Sequence, residues 1–451
     1  MVEYTDVVKT NAAWIPQIPA HWQLLKIDAL FTERKTKVSD KDYAPLSVTK
    51  KGILPQLEHA AKSNDSDNRK LVKAGDFVIN SRSDRKGSCG VSKLDGSVSL
   101  INLVLTPRSE LNNDFVHYLL RNYRFSEEYY RNGRGIVADL WTTRYSEMRT
   151  ILLPVPPRVE QDQIVRFLDW KVSEINKLIL INKKQIGLLK EIIDKRVSQV
   201  VTRGLDANAT LTESGIEWIG KMPAHWKAIR CKYLFKERDQ RSEHGEEQHL
   251  SMSQKYGLIP DSMLDERRML SASYKGGKLC YKNDLVLNRL KAHLGVFALA
   301  PQLGVISPDY TVLQPNTERI IPAFAEMVLK SQRCRRELRI RVRGIIEGFW
   351  RLYTDDFYTI VIPVPPIEEQ KQIINYIDEY KTKIDGYIAV MEREIDTLRE
   401  LRNTIIADTV TGKIDVRNVT IPEYEHVEDI ADDDSENDEG TDESEIDGEE
   451  D

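Results

Sequence analysis

One ordered set of sequence motifs occurs twice in this chain, and no other feature constrains its fold as strongly. Five segments of the first half recur in the second half in the same order, displaced by 204 to 209 residues. The matching pairs are 19–22 with 223–226, 31–34 with 235–238, 74–82 with 282–290, 134–141 with 343–350, and 151–164 with 360–373. Self-similarity at a nearly fixed spacing indicates a duplicated structural unit. At 451 residues the chain is also too long for one ordinary core, so we predict two related halves.

Each repeat changes character at a pair of prolines, Pro156-Pro157 in the first half and Pro365-Pro366 in the second. Upstream, short β-branched runs such as FVIN (77–80) are separated by Gly, Asn, Asp and Pro, and helical patterns occur near 113–131 and 322–343. This mixture is typical of an α+β domain. Proline interrupts a preceding helix but is tolerated where a new one starts, and Glu-Gln follows in the first turn, so a helix is predicted to begin there.

Downstream of the prolines, regularly spaced positions alternate in steps of three and four residues, which predicts a coiled-coil seam in both repeats. The seam positions are Val172, Ile175, Ile179, Asn182, Ile186, Leu189, Ile193, Arg196 and Val200, and then Lys381, Ile384, Ile388, Met391, Ile395, Leu398, Arg402, Ile405 and Thr409. We predict that the two helices pair antiparallel, with Asn182 and Arg196 against Arg402 helping to fix the register. The alternative is an amphipathic helix lying on its own domain.

The net charge of −6 conceals two regions of opposite sign. Residues 421–451 hold 17 Asp and Glu and neither Lys nor Arg, which leaves 54 acidic against 65 basic residues in 1–420, a charge of about +11. A basic body favours a polyanionic partner, because binding releases condensed counterions. The acidic tail has too few apolar groups to offset its ordering entropy and is predicted to be disordered. It is interpreted either as a solubilising tail or as a competitor of DNA for the basic domains at low salt.

The sequence argues against several classes of function. No run approaches the roughly 18 apolar residues of a membrane span, and the N-terminus lacks a signal pattern, so we expect a cytoplasmic protein. Four scattered cysteines form no CxxC pair, which argues against a disulfide framework or a structural zinc site. No phosphate loop, amino-methyltransferase motif or metal-dependent nuclease motif is found, so neither a catalytic residue nor a bound metal is expected.

With these motifs established, the chain resembles the specificity subunits of type I restriction–modification systems, the HsdS family. The resemblance covers residues 14–417 and rests on Ile18 to Trp22 and Met222 to Trp226, on Pro154 to Gln161 and Pro363 to Gln370, and on the helix endings Val201 to Gly204 and Val410 to Lys413. That family has two target-recognition domains, each followed by a helical region. The two helical regions form an antiparallel coiled coil.

The resemblance implies an α+β fold with two tandem globular target-recognition domains, separated by a long antiparallel two-helix coiled-coil stem and followed by a disordered acidic C-terminal tail. The expected domains are target-recognition domain 1 at 1–157, helical spacer region 1 at 158–204, target-recognition domain 2 at 205–366, helical spacer region 2 at 367–417, and the acidic tail at 418–451. A stem helix of about 30 residues would span about 45 Å.

The resemblance also implies a function without catalysis. The chain is expected to bind double-stranded DNA at a bipartite site and to dock two methyltransferase (modification) subunits, and two restriction (motor-nuclease) subunits can join such a complex. S-adenosylmethionine, ATP and Mg²⁺ are expected on those partner subunits and no cofactor on this chain. The alternative is a coiled-coil scaffold whose globular heads bind protein partners.

Two segments of each half are rich in the side chains that DNA readout needs, namely Arg and Asn for base edges and Lys and Arg for phosphates. The candidate DNA-binding residues are Asn80, Ser81, Arg82, Arg85, Lys86, Arg131, Arg134, Arg144, Asn288, Arg289, Lys291, His293, Arg339, Arg343 and Arg351. The alternatives are a solvated hairpin, turn chemistry at the two asparagines, and a charged solvent face. Among the repeated aromatic positions, His21 and His225 are interpreted as structural, Trp22 and Trp226 as anchors to the stem, and Trp141 and Trp350 as core.

Overall fold

A long α-helix begins immediately after each double proline, as the sequence predicts. In the computed structural model these helices span Arg158–Arg203 and Ile367–Val410. Close after each helix end a glycine has a left-handed backbone, with φ of 75° at Gly204 and 76° at Gly412, a conformation that glycine adopts without steric cost. The predicted helical region 367–417 is therefore helical only to Val410, because the chain turns at this glycine.

The structure describes residues 2–56, 67–108, 111–135, 141–253, 256–263, 274–344 and 350–428. The strands of the N-terminal half are β1 (Val2–Glu3), β2 (Val7–Ala12), β3 (Ile15–Pro19), β4 (Gln23–Lys26), β5 (Phe31–Glu33), β6 (Lys37–Val38), β7 (Leu46–Thr49), β8 (Gly52–Pro55), β9 (Arg69–Val72), β10 (Phe77–Asn80), β11 (Cys89–Val91), β12 (Gly96–Val98), β13 (Asn102–Pro107) and β14 (Leu152–Val155). The helices of this half are α1 (Ile27–Leu30), α2 (Asn113–Arg121), α3 (Tyr123–Arg131), α4 (Tyr145–Met148) and α5 (Arg158–Arg203).

The C-terminal half repeats much of this order. Its strands are β15 (Leu211–Glu213), β16 (Lys221–Pro223), β17 (Lys227–Arg230), β18 (Phe235–Arg238), β19 (Leu250–Ser253), β20 (Gly257–Pro260), β21 (Lys278–Cys280), β22 (Leu285–Asn288), β23 (Phe297–Leu299), β24 (Gly304–Ile306), β25 (Tyr310–Pro315), β26 (Val361–Val364) and β27 (Ile414–Asp415). Its helices are α6 (Pro322–Lys330), α7 (Gln332–Arg339), α8 (Thr354–Thr359) and α9 (Ile367–Val410).

These elements form two compact units, and both long helices contribute to each of them. The first unit consists of residues 1–183 and 392–451, and the second consists of residues 184–391. The sequence-based boundaries of the two recognition domains remain a prediction.

Corresponding strands pair in the same order in the two units. The main antiparallel sheet has the order β11-β10-β13-β5 in the first unit and β23-β22-β25-β18 in the second. The runs FVIN and LVLN, predicted to be strands, form β10 and β22 inside these sheets and are almost entirely buried. The strand immediately before each long helix is also matched, since β14 pairs with β4 and β26 pairs with β17.

The repeated Phe-x-Glu-Arg motif has a structural role. Arg34 Nε lies 2.7 Å from Asp76 Oδ2, and Nη2 donates to Oδ1 at 3.0 Å, so the ion pair is bidentate. In the second unit Arg238 Nε lies 2.8 Å from Asp284 Oδ2. Both carboxylates are buried, and the two-point geometry compensates their desolvation.

The Glu of the double-proline motif joins each recognition region to its long helix. Trp22 Nε1 donates to Glu160 Oε1 at 3.1 Å, and Trp226 Nε1 donates to Glu369 Oε2 at 3.0 Å. The ring of the preceding histidine also contacts this carboxylate, at 2.8 Å in both units. The interpretation of the two tryptophans as anchors to the stem is confirmed.

Helices α5 and α9 pack together, and they do so antiparallel within each unit. In the first unit Arg402 Nη1 donates to Asn176 Oδ1 at 2.8 Å, while Gln163, earlier in α5, contacts residues beyond the end of α9. In the second unit Arg196 Nη2 contacts the hydroxyl of Tyr376, 2.5 Å away. The predicted seam residues are buried or half-buried, but the partner of Arg402 is Asn176 rather than Asn182.

The start of the predicted disordered tail is ordered on α5. Residues 416–428, here called the C-terminal strap, run along α5 in the same direction. Gln163 Nε2 donates to the carbonyls of Val416 at 3.0 Å and Val419 at 2.9 Å, and Asn176 Nδ2 donates to the carbonyl of Glu428 at 3.1 Å. The prediction of disorder is wrong for 418–428, because side-chain amides of α5 satisfy the strap's backbone. Residues 429–451 lie outside the described residues.

Candidate DNA interface

The two candidate segments of the first half lie side by side. The amide of Ser83 donates to the carbonyl of Trp141 at 2.9 Å, and Arg82 pairs with Thr142 as in an antiparallel ladder. Residues that are about 60 positions apart in the sequence therefore share one surface.

A third stretch completes this arrangement at Arg134. Arg134 and Thr142 exchange both backbone hydrogen bonds, at 3.2 and 3.1 Å. From α3, the hydroxyl of Tyr130 lies 3.2 Å from the carbonyl of Asn80 and 3.3 Å from that of Arg85, and it is positioned to donate to them. Tyr130 is buried, so the loop that carries Arg85 is held from beneath by a packed side chain, which favours a fixed presentation.

The second unit joins its two candidate segments in a similar way. Arg343 and Arg351 exchange both backbone hydrogen bonds, at 2.9 and 2.8 Å. The amide of Leu352 then donates to the carbonyl of Arg289 at 3.0 Å. The loop after β22 thus lies beside the segment 343–351, as the loop after β10 lies beside 134–144 in the first unit.

The two candidate asparagines shape turns in this structure. The side-chain oxygens of Asn80 and Asn288 accept hydrogen bonds from backbone amides two residues further along, at 3.0 and 3.1 Å. Ser81 is also occupied, since its hydroxyl donates to the carbonyl of Ile101 at 2.6 Å and its side chain is buried. This is the turn chemistry that the sequence left open as an alternative. Base contacts by these three side chains remain a prediction.

Most of the charged candidates are at the surface. The exposed ones are Arg85, Lys86, Arg131, Arg134, Arg144, Arg339, Arg343 and Arg351, and the half-buried ones are Arg82, Arg289 and Lys291. The ion pairs that they form include Lys86 with Glu127, Arg131 with Glu128, and Arg343 with Asp356. In the pair Lys86–Glu127 both side chains are exposed, and such pairs contribute little free energy, so a phosphate group can replace this carboxylate at small cost. The carboxylates of Glu128 and Asp356 are only 13% and 14% exposed.

Part of the predicted interface lies outside the described residues. The side chain of His293 belongs to that part, as do residues 136–140 and 345–349 between the paired stretches of the two units. The described interface therefore consists, in each unit, of the loop after β10 or β22 and of both ends of the arginine-containing segment.

A basic cleft of about 590 Å³ lies next to the paired segments of the first unit. Its lining includes the predicted residues Ser81 and Arg144 and three cations that the sequence did not single out, Lys35, Lys70 and Arg149. These cations come from the end of β5, from β9 and from the end of α4, so no local motif connects them. The fold alone brings them together.

Two of these cations differ in their environment. Lys70 is half-buried, its ammonium donates to the carbonyl of Asn102 at 2.7 Å, and burial lowers its pKa. Desolvation disfavours the charged form of an amine, which is the physical cause of this direction. Arg149 is exposed. A phosphate placed at the mouth of the basic cleft would meet Arg149 and Arg144 before Lys70.

A second cleft of about 520 Å³ contains Trp141 together with Tyr130, Lys86 and Arg131. The interpretation of Trp141 as a core residue is wrong, because the residue is 39% exposed. Its backbone is fixed by Ser83, which leaves the indole at the surface among cations. A large exposed aromatic beside positive charge is typical of a binding surface.

In the part of the chain that the structure describes, no group of three His, Cys, Asp or Glu side chains could hold a metal ion. Among the same residues, no helix is both long enough and apolar enough to cross a membrane.

Two relatives of this chain carry the same kind of name. No family model matches the chain. Over 331 residues it is 23% identical to a protein named as a type I restriction enzyme MjaX specificity subunit of Methanocaldococcus jannaschii, which corresponds to 70% of this chain and 71% of the relative. Over 288 residues it is 23% identical to the type I restriction enzyme MjaVIII specificity subunit of the same organism, covering 60% of this chain and 63% of the relative, slightly under two thirds of its length.

A solved chain from a type I restriction–modification system matches the fold with a TM-score of 0.58 at 14% identity, covering 88% of this chain and 99% of that one. This likeness supports the mixed helix and sheet architecture with two long packed helices. The names of the relatives and the likeness of the fold confirm the resemblance predicted from the sequence. The chain is similar to the specificity subunits of type I restriction–modification systems, the HsdS family.

Proposed function

We propose that this chain is the DNA sequence-specificity subunit of a type I restriction–modification complex. It recognises a bipartite site, with one half-site read by each of its two recognition domains, and it carries no catalytic centre of its own. Methylation is performed by two docked modification subunits that bind S-adenosylmethionine. Restriction subunits that bind ATP and Mg²⁺ join the same complex.

The observation that carries this proposal is the duplicated pairing of the two candidate segments. In each unit an arginine-containing stretch and the loop after β10 or β22 lie against each other, with Arg82 beside Thr142 in the first unit and Arg289 beside Leu352 in the second. The anchors of the two surfaces match, while the exposed side chains around them differ. Two similar frames with different side chains are what two readers of different half-sites require.

The length of the long helices supports a fixed gap between the half-sites. Helices of 46 and 44 residues are about 69 and 66 Å long at 1.5 Å per residue, more than the 45 Å expected from sequence. Since α5 and α9 both contribute to both units, we infer that they act as a ruler. Gly187 and Gly386 are exposed helix positions with open space around them, where extra residues can be inserted.

The ruler is tested by inserting seven residues after Gly187 and seven after Gly386. Seven residues keep the period of the seam, and each helix becomes about 10 Å longer. At about 3.4 Å per base pair, the gap between the half-sites should grow by about three base pairs. A folded variant with the original gap would contradict the ruler.

An exposed apolar face on the long helices supports docking of the modification subunits. On α5 it contains Leu178, Ile181, Leu188 and Ile192, each 44 to 49% exposed. On α9 it contains Tyr387, Val390 and Leu401. These residues stand one position before the buried seam, so they form a second stripe along each helix. A stripe of this kind fits an amphipathic helix of the modification subunit.

The proposal is tested by co-expressing the chain with a type I modification subunit from the same organism. We expect the two proteins to co-purify and the complex to shift one duplex selectively in the presence of excess competitor DNA. Leu188→Glu should abolish co-purification, and Lys190→Glu on the same helix should not. If the chain binds protein partners but shows no preference among DNA sequences, the scaffold interpretation is correct instead.

A further inference from the structure

The C-terminal strap is an addition to the duplicated fold rather than part of it. Ser173 and Asn176, which the strap covers, are 2% and 0% exposed. Their counterparts 209 residues later, Thr382 and Asp385, are exposed on α9 in the second unit. A helix pair of the same kind therefore folds without a strap, and the strap needs another explanation.

The strap determines where the acidic residues at the end of the chain begin. Lys177 Nζ lies 3.0 Å from Glu425 Oε2, and Asn176 holds the carbonyl of Glu428. Asn176 is fully buried and is bonded at the same time to Arg402, so this attachment belongs to the helix pair itself. Glu428, the last residue that the structure describes, therefore lies at a fixed place on the first unit.

The remaining segment has the charge and the length to reach the DNA interface of the same unit. Residues 429–451 contain 14 Asp and Glu and no Lys or Arg. A chain of 23 residues spans at most about 80 Å. A compact unit of about 240 residues has a radius of gyration of about 18 Å, so every surface of the first unit is within this span.

The interface offers the complementary charge. Arg85, Lys86, Arg134 and Arg144 are exposed around the paired segments, and Lys35 and Arg149 line the basic cleft beside them. A run of carboxylates presents negative charges at short intervals, as a phosphate backbone does, and it releases the same counterions when it binds.

We propose that residues 429–451 bind the DNA interface of the first unit when DNA is absent, and that DNA must displace them. This inference rests on the proposed function, because it assigns the occupant of the same interface. Being part of the chain, the competitor acts at a constant local concentration. The tail weakens the binding of both non-specific and specific DNA. Non-specific DNA offers only phosphate contacts, so it loses a larger fraction of its binding free energy than a specific site, which has additional base contacts.

Three forms of the protein, each in complex with its modification subunit, separate the effects. They are the natural chain, a chain ending at residue 428, and a chain in which the 14 carboxylates of 429–451 are replaced by Asn and Gln. Affinity for a duplex that lacks the target site is measured between 0.05 and 0.3 M salt. We expect truncation and neutralisation each to strengthen this binding about tenfold at the lowest salt and about twofold or less at the highest, because salt screens both competitors.

Carbodiimide crosslinking gives a readout that does not depend on affinity. We expect crosslinks from residues 429–451 to Lys35 or Lys86 that disappear when DNA is added, while the Lys177–Glu425 crosslink between α5 and the strap persists. Equal affinities of all three forms, or tail crosslinks that exclude Lys35 and Lys86, would overturn the inference. If none of the three forms prefers its target over the non-target duplex, the proposed function itself fails, which is a different result.

Discussion

Arg402 Nη1 donates a hydrogen bond of 2.8 Å to Asn176 Oδ1, and both side chains are buried between the long helices of the first unit. The amide group of Asn176 simultaneously donates to the strap at Glu428. One residue thus connects α5, α9 and the C-terminus. Buried polar groups of this kind are costly when a partner is missing, so they favour one register of the helix pair over others.

Removing one partner of this pair should destabilise the first unit. Arg402→Leu leaves Asn176 Oδ1 buried without its donor, at a cost of about 1–3 kcal/mol in the free energy of unfolding. Hydrogen exchange of the α5 amides should become faster around residue 176. The adjacent exposed residue provides the control, since Asn403→Ala should leave the exchange unchanged. Unaltered exchange in Arg402→Leu would show that the bond does not fix the helices.

The stability of the first unit should decrease as the pH is lowered, because of His117. Burial, followed by the neighbouring Arg121 and Lys93, lowers the pKa of His117 to about 3. Below a pH of about 6.5, the ordinary pKa of histidine, His117 therefore binds a proton in the unfolded state but stays neutral in the folded state. Stability is fully present above that pH and is lost progressively as the pH falls towards 3.

His117→Gln should reduce this dependence, because the glutamine side chain does not titrate. Unfolding temperatures measured between pH 7 and 4 should fall less steeply in this variant than in the natural chain. His244 is exposed in the second unit, so His244→Gln serves as the control and should retain the natural slope. Equal slopes in all three proteins would remove His117 from the account.

The sequence was informative where local chemistry decides the structure. The double prolines placed the starts of α5 and α9 correctly, since proline fixes its own backbone and excludes the preceding residue from a helix. The prediction that the repeated Trp22 and Trp226 anchor the stem is confirmed. Their partners Glu160 and Glu369 stand in the helix-start motif that was recognised only as a boundary.

The sequence was less informative where distant segments meet. The contact between Arg82 and Thr142, and the basic cleft formed by Lys35, Lys70 and Arg149, depend on strand pairing across the fold, which leaves no spacing pattern in the chain. The strap was missed for another reason. Residues 418–428 retain four apolar side chains, those of Val419, Ile421, Tyr424 and Val427, and their backbone is held by the amide side chains of Gln163 and Asn176.

Arginines of the interface should contribute to DNA affinity in a salt-dependent way. Arg134→Ala and Arg144→Ala, in the complex with the modification subunit, should each weaken binding, and the slope of log affinity against log salt should decrease by about one if the contact is to phosphate. Lys9 is an exposed cation of the same unit outside the interface, and Lys9→Ala should leave the slope unchanged. A reduced affinity for one sequence alone would instead indicate a base contact.

Trp141 should contribute by stacking or apolar contact rather than by charge. Trp141→Ala should weaken target binding by about tenfold, as truncation of an aromatic anchor in an interface does, and Trp141→Phe should retain part of the affinity. Tyr123 is similarly exposed in the first unit but lies outside both clefts, so Tyr123→Ala is the matched control. Binding by Trp141→Ala that equals the natural protein would return this residue to a structural role.

The central claim is that this chain chooses the DNA sequence that its partners modify. It is tested most directly by mapping methylated bases across the genome of cells with the natural gene, without it, and with the seven-residue insertions in α5 and α9. We predict one two-part motif that is methylated with the natural gene and unmethylated without it, and a gap about three base pairs longer with the insertions. A methylation pattern that is the same with and without the gene would contradict the account.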